Sequence, residues 1–359
     1  MTTTNESLGA SAGPRMRLSG PPQLLQMVPY LVGFTPEQSV VLIGKQAPRG
    51  AVIVSARYDI DAPAEAARQW FAAASNAGAD SFLVVLYDDT ITGPPLPHRE
   101  MLDELVALGA ELKMEMTDAL AVNESRWWSY ICSSEMCCPS VGTPLVRDGE
   151  VAAEAVLNGL VARPSRTSLV HELEPDPSRV AEAEGLFERL SDDELLARAL
   201  RPGVGSVRLR RVTALKRADT IERACVEEQR VPTPKEVIDL TLPMLDLMVR
   251  DCMMGSLPKK GSDTMLAFWR DVCRGSPEAL VAGPATVFAL CAYAAGDGAR
   301  ANVGIDRALA ARPDYTMALL LLQAISGGMQ PKDLVPDLVM KCEQVRAKVT
   351  RRGQRARRR

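Results

Sequence analysis

The chain has 359 residues, 47% hydrophobic, 24% charged and only 4% aromatic, a globular composition long enough for two structural units of ordinary size. No apolar run reaches the roughly 18 residues a membrane span needs; the longest, Val281 to Tyr293, is short and holds Pro284. The net charge of −3 is unevenly placed: Arg351 to Arg359 contains six arginines and no acid, so the rest carries −9 and makes a poor nucleic-acid platform.

Residues 1–19 are small and polar, with no basic stretch leading into an apolar one, and read as a disordered arm rather than a secretion signal. Without such a signal the eight cysteines are expected to be thiols and the location cytoplasmic. Leu24 to Val32 is apolar, with a kink expected at Pro29 and an end at Gly33. Ser39 to Gly44 and Ala51 to Tyr58 are β-branched runs joined by a short link with Pro48 and Gly50, which predicts an antiparallel hairpin. A helix is expected from Asp61 and Pro63 to about Asn76, closed by Gly78, followed by a buried strand over Ser81 to Tyr87. That order predicts a right-handed parallel crossover. A second helix is expected from near His98 to Leu108 with a stop at Gly109. Strands then follow over Leu112 to Val122 and Arg126 to Ile131.

Beyond Glu150 the strand signals fade. Ser191-Asp192-Asp193-Glu194 has the form of a capping box ahead of Leu195, with Pro202-Gly203 as the stop, and Val204 to Val212 reads as a short strand or a loop. Thr233-Pro234-Lys235-Glu236 sets an N-cap, an N1 proline and an N3 glutamate in order, and Ser276-Pro277 repeats the device. Later helices are expected at about 285–295, 299–312, 315–326 and 333–350. The expected fold is an α/β N-terminal domain over 20–145, a mixed sheet with parallel crossovers flanked by helices. A mainly α-helical C-terminal part follows: a connecting region over 146–230, a helical domain over 231–350, and a basic tail over 351–359.

Pro29-Tyr30-Leu31, Gly33-Phe34, Pro36, Ser39, Arg57 and Asp59 form a set of short motifs, together with Trp127-Trp128-Ser129-Tyr130, Cys132 and Cys137-Cys138-Pro139 with Gly142. Ser165-Arg166, Val249-Arg250-Asp251 and Gly296-Asp297-Gly298-Ala299 with Ala301-Asn302 continue it. Through these residues the chain resembles an actinobacterial family known as domain of unknown function 4192. The resemblance covers roughly residues 20 to 330 and implies no activity. A local resemblance links Ala301, Ile305, Ala308 and Pro313 to the second helix of a single tetratricopeptide-like hairpin.

Three places are candidates for chemistry. Cys132, Cys137 and Cys138 put three soft ligands within seven residues, as a zinc site or a redox-active thiol would require, although a fourth ligand is missing locally and neighbouring Cys137 and Cys138 should diverge. The bland alternative is packing in a compact loop. Asp59, Asp88 and Asp89 fall at strand carboxyl ends, where α/β sheets build sites; they would hold Mg²⁺ against a phosphorylated substrate, with Arg57 on an anion or simply paired to Asp59. The alternative is helix capping and turn formation. Trp127 should face away from Trp128 and Tyr130, so one face is core and the other a candidate partner-binding patch; the alternative, which the composition of cores favours, is that the helix after Glu150 covers it and both faces are packed.

No phosphate loop, G-x-S-x-G or H-E-x-x-H occurs. Gly255-Ser256-Leu257-Pro258-Lys259-Lys260-Gly261-Ser262 fails the first pattern, and His98 and His171 read as incidental. The expectation is a cytoplasmic, non-enzymatic binding or regulatory protein acting through contacts with another protein. Nucleic acid would be reached only through the Arg-rich tail, and no membrane is involved. The alternatives are a metal-assisted hydrolase or transferase on a phosphorylated substrate at the aspartates, and a zinc or thiol redox sensor at the cysteines.

Overall fold

A computed structural model describes residues 18–48, 50–158, 160–191, 207–254 and 263–351. Most of the expected N-terminal arm, the capping box after Ser191, the Gly255 to Ser262 segment and the tail beyond Arg351 lie outside the described residues.

Strands β1 (Ser39–Gln46) and β2 (Ala51–Asp59) form the expected hairpin, with Ser39 opposite Asp59. On its other edge β1 pairs antiparallel with β3 (Ser81–Tyr87), and β3 pairs parallel with β4 (Glu115–Val122). Two short antiparallel strands, β5 (Arg126–Ser129) and β6 (Thr143–Pro144), complete a six-stranded sheet of order β2-β1-β3-β4-β5-β6. β2 and β3 therefore run in the same direction, but with β1 between them. The carboxyl ends of β2, β3 and β4 share one edge.

Side chains alternate across this sheet, and both faces are covered. Helix α1 (Pro21–Val32) sets Leu24, Leu25 and Val28 on Val41, Ile43, Leu83 and Val85. Helices α2 (Arg68–Asn76) and α3 (Arg99–Glu111) press Trp70, Phe71, Leu102 and Leu105 on Val40, Leu42, Phe82 and Val84 from the opposite side. Coverage on both faces explains why β1 and β3 read as unbroken apolar runs.

Several boundaries differ from expectation for local reasons. A 3₁₀ turn over Ala64–Ala67 precedes α2. Gly109 lies inside α3, where a Cβ would come within 2.6 Å of the Phe82 ring, so this glycine serves close packing rather than a stop. Leu112 and Lys113 fold back onto the carbonyls of Gly109 and Ala110, which delays β4 to Glu115. Gly33 does end α1, at a left-handed φ of 84°.

The remainder is mostly helical: α4 (Glu150–Leu157), α5 (Arg166–His171), α6 (Pro177–Ser191), α7 (Val207–Glu227), α8 (Pro234–Thr241), α9 (Leu247–Met254), α10 (Asp263–Arg274), α11 (Ala282–Ala294), α12 (Gly298–Ala311), α13 (Thr316–Ser326) and α14 (Pro331–Arg351). Residues 207–212 are the first turns of α7, not a strand or a loop. Ser276 caps nothing; its hydroxyl donates back to the Val272 carbonyl, and a 3₁₀ turn over Glu278–Leu280 leads to α11. α11 is buried on nearly all sides. It meets α12 closely at Gly304, where a Cβ would sit 2.9 Å from the Ala285 carbonyl oxygen. Among the described residues no helix is long and apolar enough to cross a membrane.

Candidate functional site

The chain leaving α1 stitches the sheet to the helices. Gly33 O accepts from Arg163 N at 2.9 Å and Thr35 N donates to Arg163 O at 2.9 Å, and the Phe34 side chain between them joins the helical core. Gly33 is required at this join: at φ 84°, a Cβ would also stand 2.9 Å from Ala299 Cβ. Glu172 then receives Arg300 at 2.7 and 3.0 Å and Arg163 at 2.9 Å, while Asp297 caps α12 through Arg300 N at 2.9 Å. These partly buried, forked ion pairs hold α5 at a set distance from the sheet edge.

Between α5 and that edge lies a cleft of about 380 Å³ walled by Phe34, Glu37, Arg57, Asp59, Ser165, Arg166, His171 and Glu174. A second cleft of about 400 Å³, lined by Pro36, Tyr87, Asp89, Asn123, Glu124 and Arg147, shares Thr35 and Glu37 with the first. The two clefts adjoin at Thr35 and Glu37 and together form the groove region at the carboxyl ends of β2, β3 and β4. Their walls carry five carboxylates (Glu37, Asp59, Asp89, Glu124, Glu174) against three guanidinium groups (Arg57, Arg147, Arg166), so carboxylates predominate.

The aspartates do not gather around one point. Asp59 is held by Arg57, whose Nη2 also donates to Glu37 O at 3.3 Å, and the buried Arg57 Nε–H has no protein acceptor. Asp88 turns away from the groove: Oδ1 accepts from Thr90 N at 2.9 Å and Thr90 Oγ1 at 2.6 Å, and Oδ2 meets His98 Nε2 at 2.8 Å. Burial works against the Asp88 carboxylate, but the Thr90 and His98 hydrogen bonds outweigh it and hold its pKa below the usual range. Asp89 is exposed in the second cleft.

Trp127 and Trp128 point to opposite faces as expected, and both are core side chains, 5% and 4% exposed. Trp127 packs with the α1 face and Trp128 with Ile91 and Leu96. Trp128 Nε1 donates to Ser140 O at 3.1 Å, and Tyr130 Oη to Pro97 O at 2.8 Å. Neither indole offers a face to a partner.

The cysteine loop stands apart from the groove, with Cys138 packed against the α1 side of the sheet. Contrary to the expected divergence of neighbours, the Sγ atoms of Cys132, Cys137 and Cys138 all lie within 4.8 Å of one another, with Cys132 and Cys137 at 3.0 Å. A tight turn does this: Ser134 O accepts from Cys137 N at 3.1 Å and Cys138 N at 2.8 Å, which swings both side chains toward Cys132. Among the described residues this is the only set of three Cys, His, Asp or Glu side chains so grouped. All eight cysteines are free.

Asp59, Asp88, Trp128 and the cysteines therefore share no cavity. The groove also draws in Glu37, Glu124, Arg147, His171 and Glu174, which stand alone in the sequence without motif or spacing. Only their positions just beyond strand ends or beside Arg166 hinted at them. No curated protein and no solved structure matches the chain. The profile of one family, described as domain of unknown function (DUF4192), matches residues 21–332, and the chain belongs to that family.

Proposed function

We propose that the chain is a non-enzymatic binding protein that holds a basic, extended segment of a partner protein in the groove along the strand carboxyl ends. One observation carries this reading: two adjoining clefts that share Thr35 and Glu37 line one sheet edge with more carboxylates than guanidinium groups. Two adjoining clefts suit a chain segment better than a compact metabolite, and their charge favours lysine and arginine side chains.

The same charge count argues against a phosphorylated substrate, which five carboxylates would repel. Asp59 is already neutralised by Arg57, and Asp88 is tied to Thr90 and His98, so two of the three expected Mg²⁺ ligands are engaged elsewhere.

The test is fluorescence anisotropy of a labelled, extended Lys/Arg-rich peptide with the full chain. An acidic peptide of equal length serves as control. Glu37→Gln/Asp89→Asn/Glu124→Gln should weaken binding roughly tenfold, since each partly exposed pair contributes only about 0.5 kcal/mol. No binding of the basic peptide, or equal affinity in the triple variant, would refute the assignment.

A further inference from the structure

We propose that Cys132, Cys137 and Cys138 form a binding site for one thiophilic metal ion of the Zn²⁺ class, with its fourth coordination position open to solvent. The site is separate from the groove, and the two stand or fall independently.

Geometry is the first argument. With Zn–S bonds of about 2.3 Å, tetrahedral thiolates lie about 3.8 Å apart. The three Sγ atoms already lie within 4.8 Å of one another and Cys132 and Cys137 are at 3.0 Å, so the widest separation and this one each need to change by only about 1 Å or less. The turn at Ser134 presets this arrangement through two backbone hydrogen bonds, and the loop ends are anchored independently. Cys132 N donates to Ser129 Oγ at 3.0 Å, and Gly142 at φ 79° lies against the Trp128 ring, where a Cβ would meet the indole at 2.5 Å. A preset site of this kind spends little ordering entropy on binding.

Donor type selects the ion. Three sulfurs and no oxygen or nitrogen donor within the group favour soft, d¹⁰ ions over Mg²⁺ or Ca²⁺. No fourth His, Cys, Asp or Glu joins the trio among the described residues, and Cys137 is exposed, so water or an exogenous ligand completes the sphere.

The experiment is titration of reduced, tag-free full-length protein with Co²⁺ under anaerobic conditions, followed by Zn²⁺ displacement against a chromophoric chelator. One equivalent of Co²⁺ should bind with intense near-ultraviolet sulfur-to-metal charge-transfer bands, which Zn²⁺ then removes. Cys132→Ser and Cys138→Ser should each weaken Zn²⁺ binding by roughly 100-fold or more, with melting curves showing that the loop variants fold. Cys342→Ser, buried on α14 away from the loop, should bind like wild type. Absence of the charge-transfer bands, or Zn²⁺ affinity unchanged in Cys132→Ser, would overturn the proposal.

Discussion

Glu222 on α7 is a carboxyl placed against its own preference. Burial, reinforced by the nearby Asp219 carboxylate and only partly offset by Arg346, raises its pKa from 4.5 to about 7. A raised acid binds its proton more tightly in the folded than in the unfolded chain, so stability falls as pH rises from about 4.5 through 7. The full loss, reached once the pH has passed about 7, is of the order of 3 kcal/mol. Glu222→Gln should therefore raise the melting temperature at pH 8, with the difference shrinking toward zero near pH 4.5; a gain independent of pH would show that charge is not the cause. Nothing in the sequence marks Glu222, because burial is a tertiary property and Arg346 reaches it from α14, more than 100 residues away. The cysteines are a contrasting case. Their spacing was legible as a candidate ligand set, but the turn at Ser134 that brings Cys137 and Cys138 together depends on backbone hydrogen bonds that spacing does not encode.

Among the elements, α8 was the most readable. Thr233 Oγ1 accepts from Glu236 N at 3.3 Å, and Glu236 returns the favour to Thr233 N at 2.8 Å while taking a fork from Arg230 at 2.8 and 2.9 Å. The Arg230 fork leads the interactions that pull Glu236 down to about 2. Thr233→Ala should cost about 1 kcal/mol in chemical denaturation, as for other N-cap losses; a cost under a few tenths would mean the Arg230 fork holds the helix start unaided. By contrast, the first turns of α7 look like a strand or a loop in the sequence: Val207 and Leu209 alternate with Arg208 and Arg210 before Arg211 breaks the period, and Leu209 is 64% exposed. What makes this segment helical is further on, where Leu215, Ala218, Ile221 and Cys225 share one buried face. Gly109 misled for a similar reason: its lack of a side chain answers to Phe82 across the sheet, not to the helix end.

For the whole molecule, the succession of β1 to β5 along the chain and the shift to helices after the sheet followed from hydrophobic period and turn residues, which are local, whereas the two-residue β6 and the place of β1 between β2 and β3 did not. The groove did not, because it is assembled from the ends of β2, β3 and β4, the stretch after α1, and α5. The join at Gly33 and Arg163 and the Glu172–Arg300 pair set its width, and both link residues more than 100 positions apart. Sequence order could place Asp59 and Asp89 on one edge but not reveal the carboxylate excess around them. Hydrogen–deuterium exchange of the full chain with and without a saturating basic peptide tests the central claim most directly. The account predicts slower exchange confined to 34–37, 57–59, 87–89, 123–124 and 165–174; protection elsewhere, or none at these segments while the peptide is bound, would contradict it.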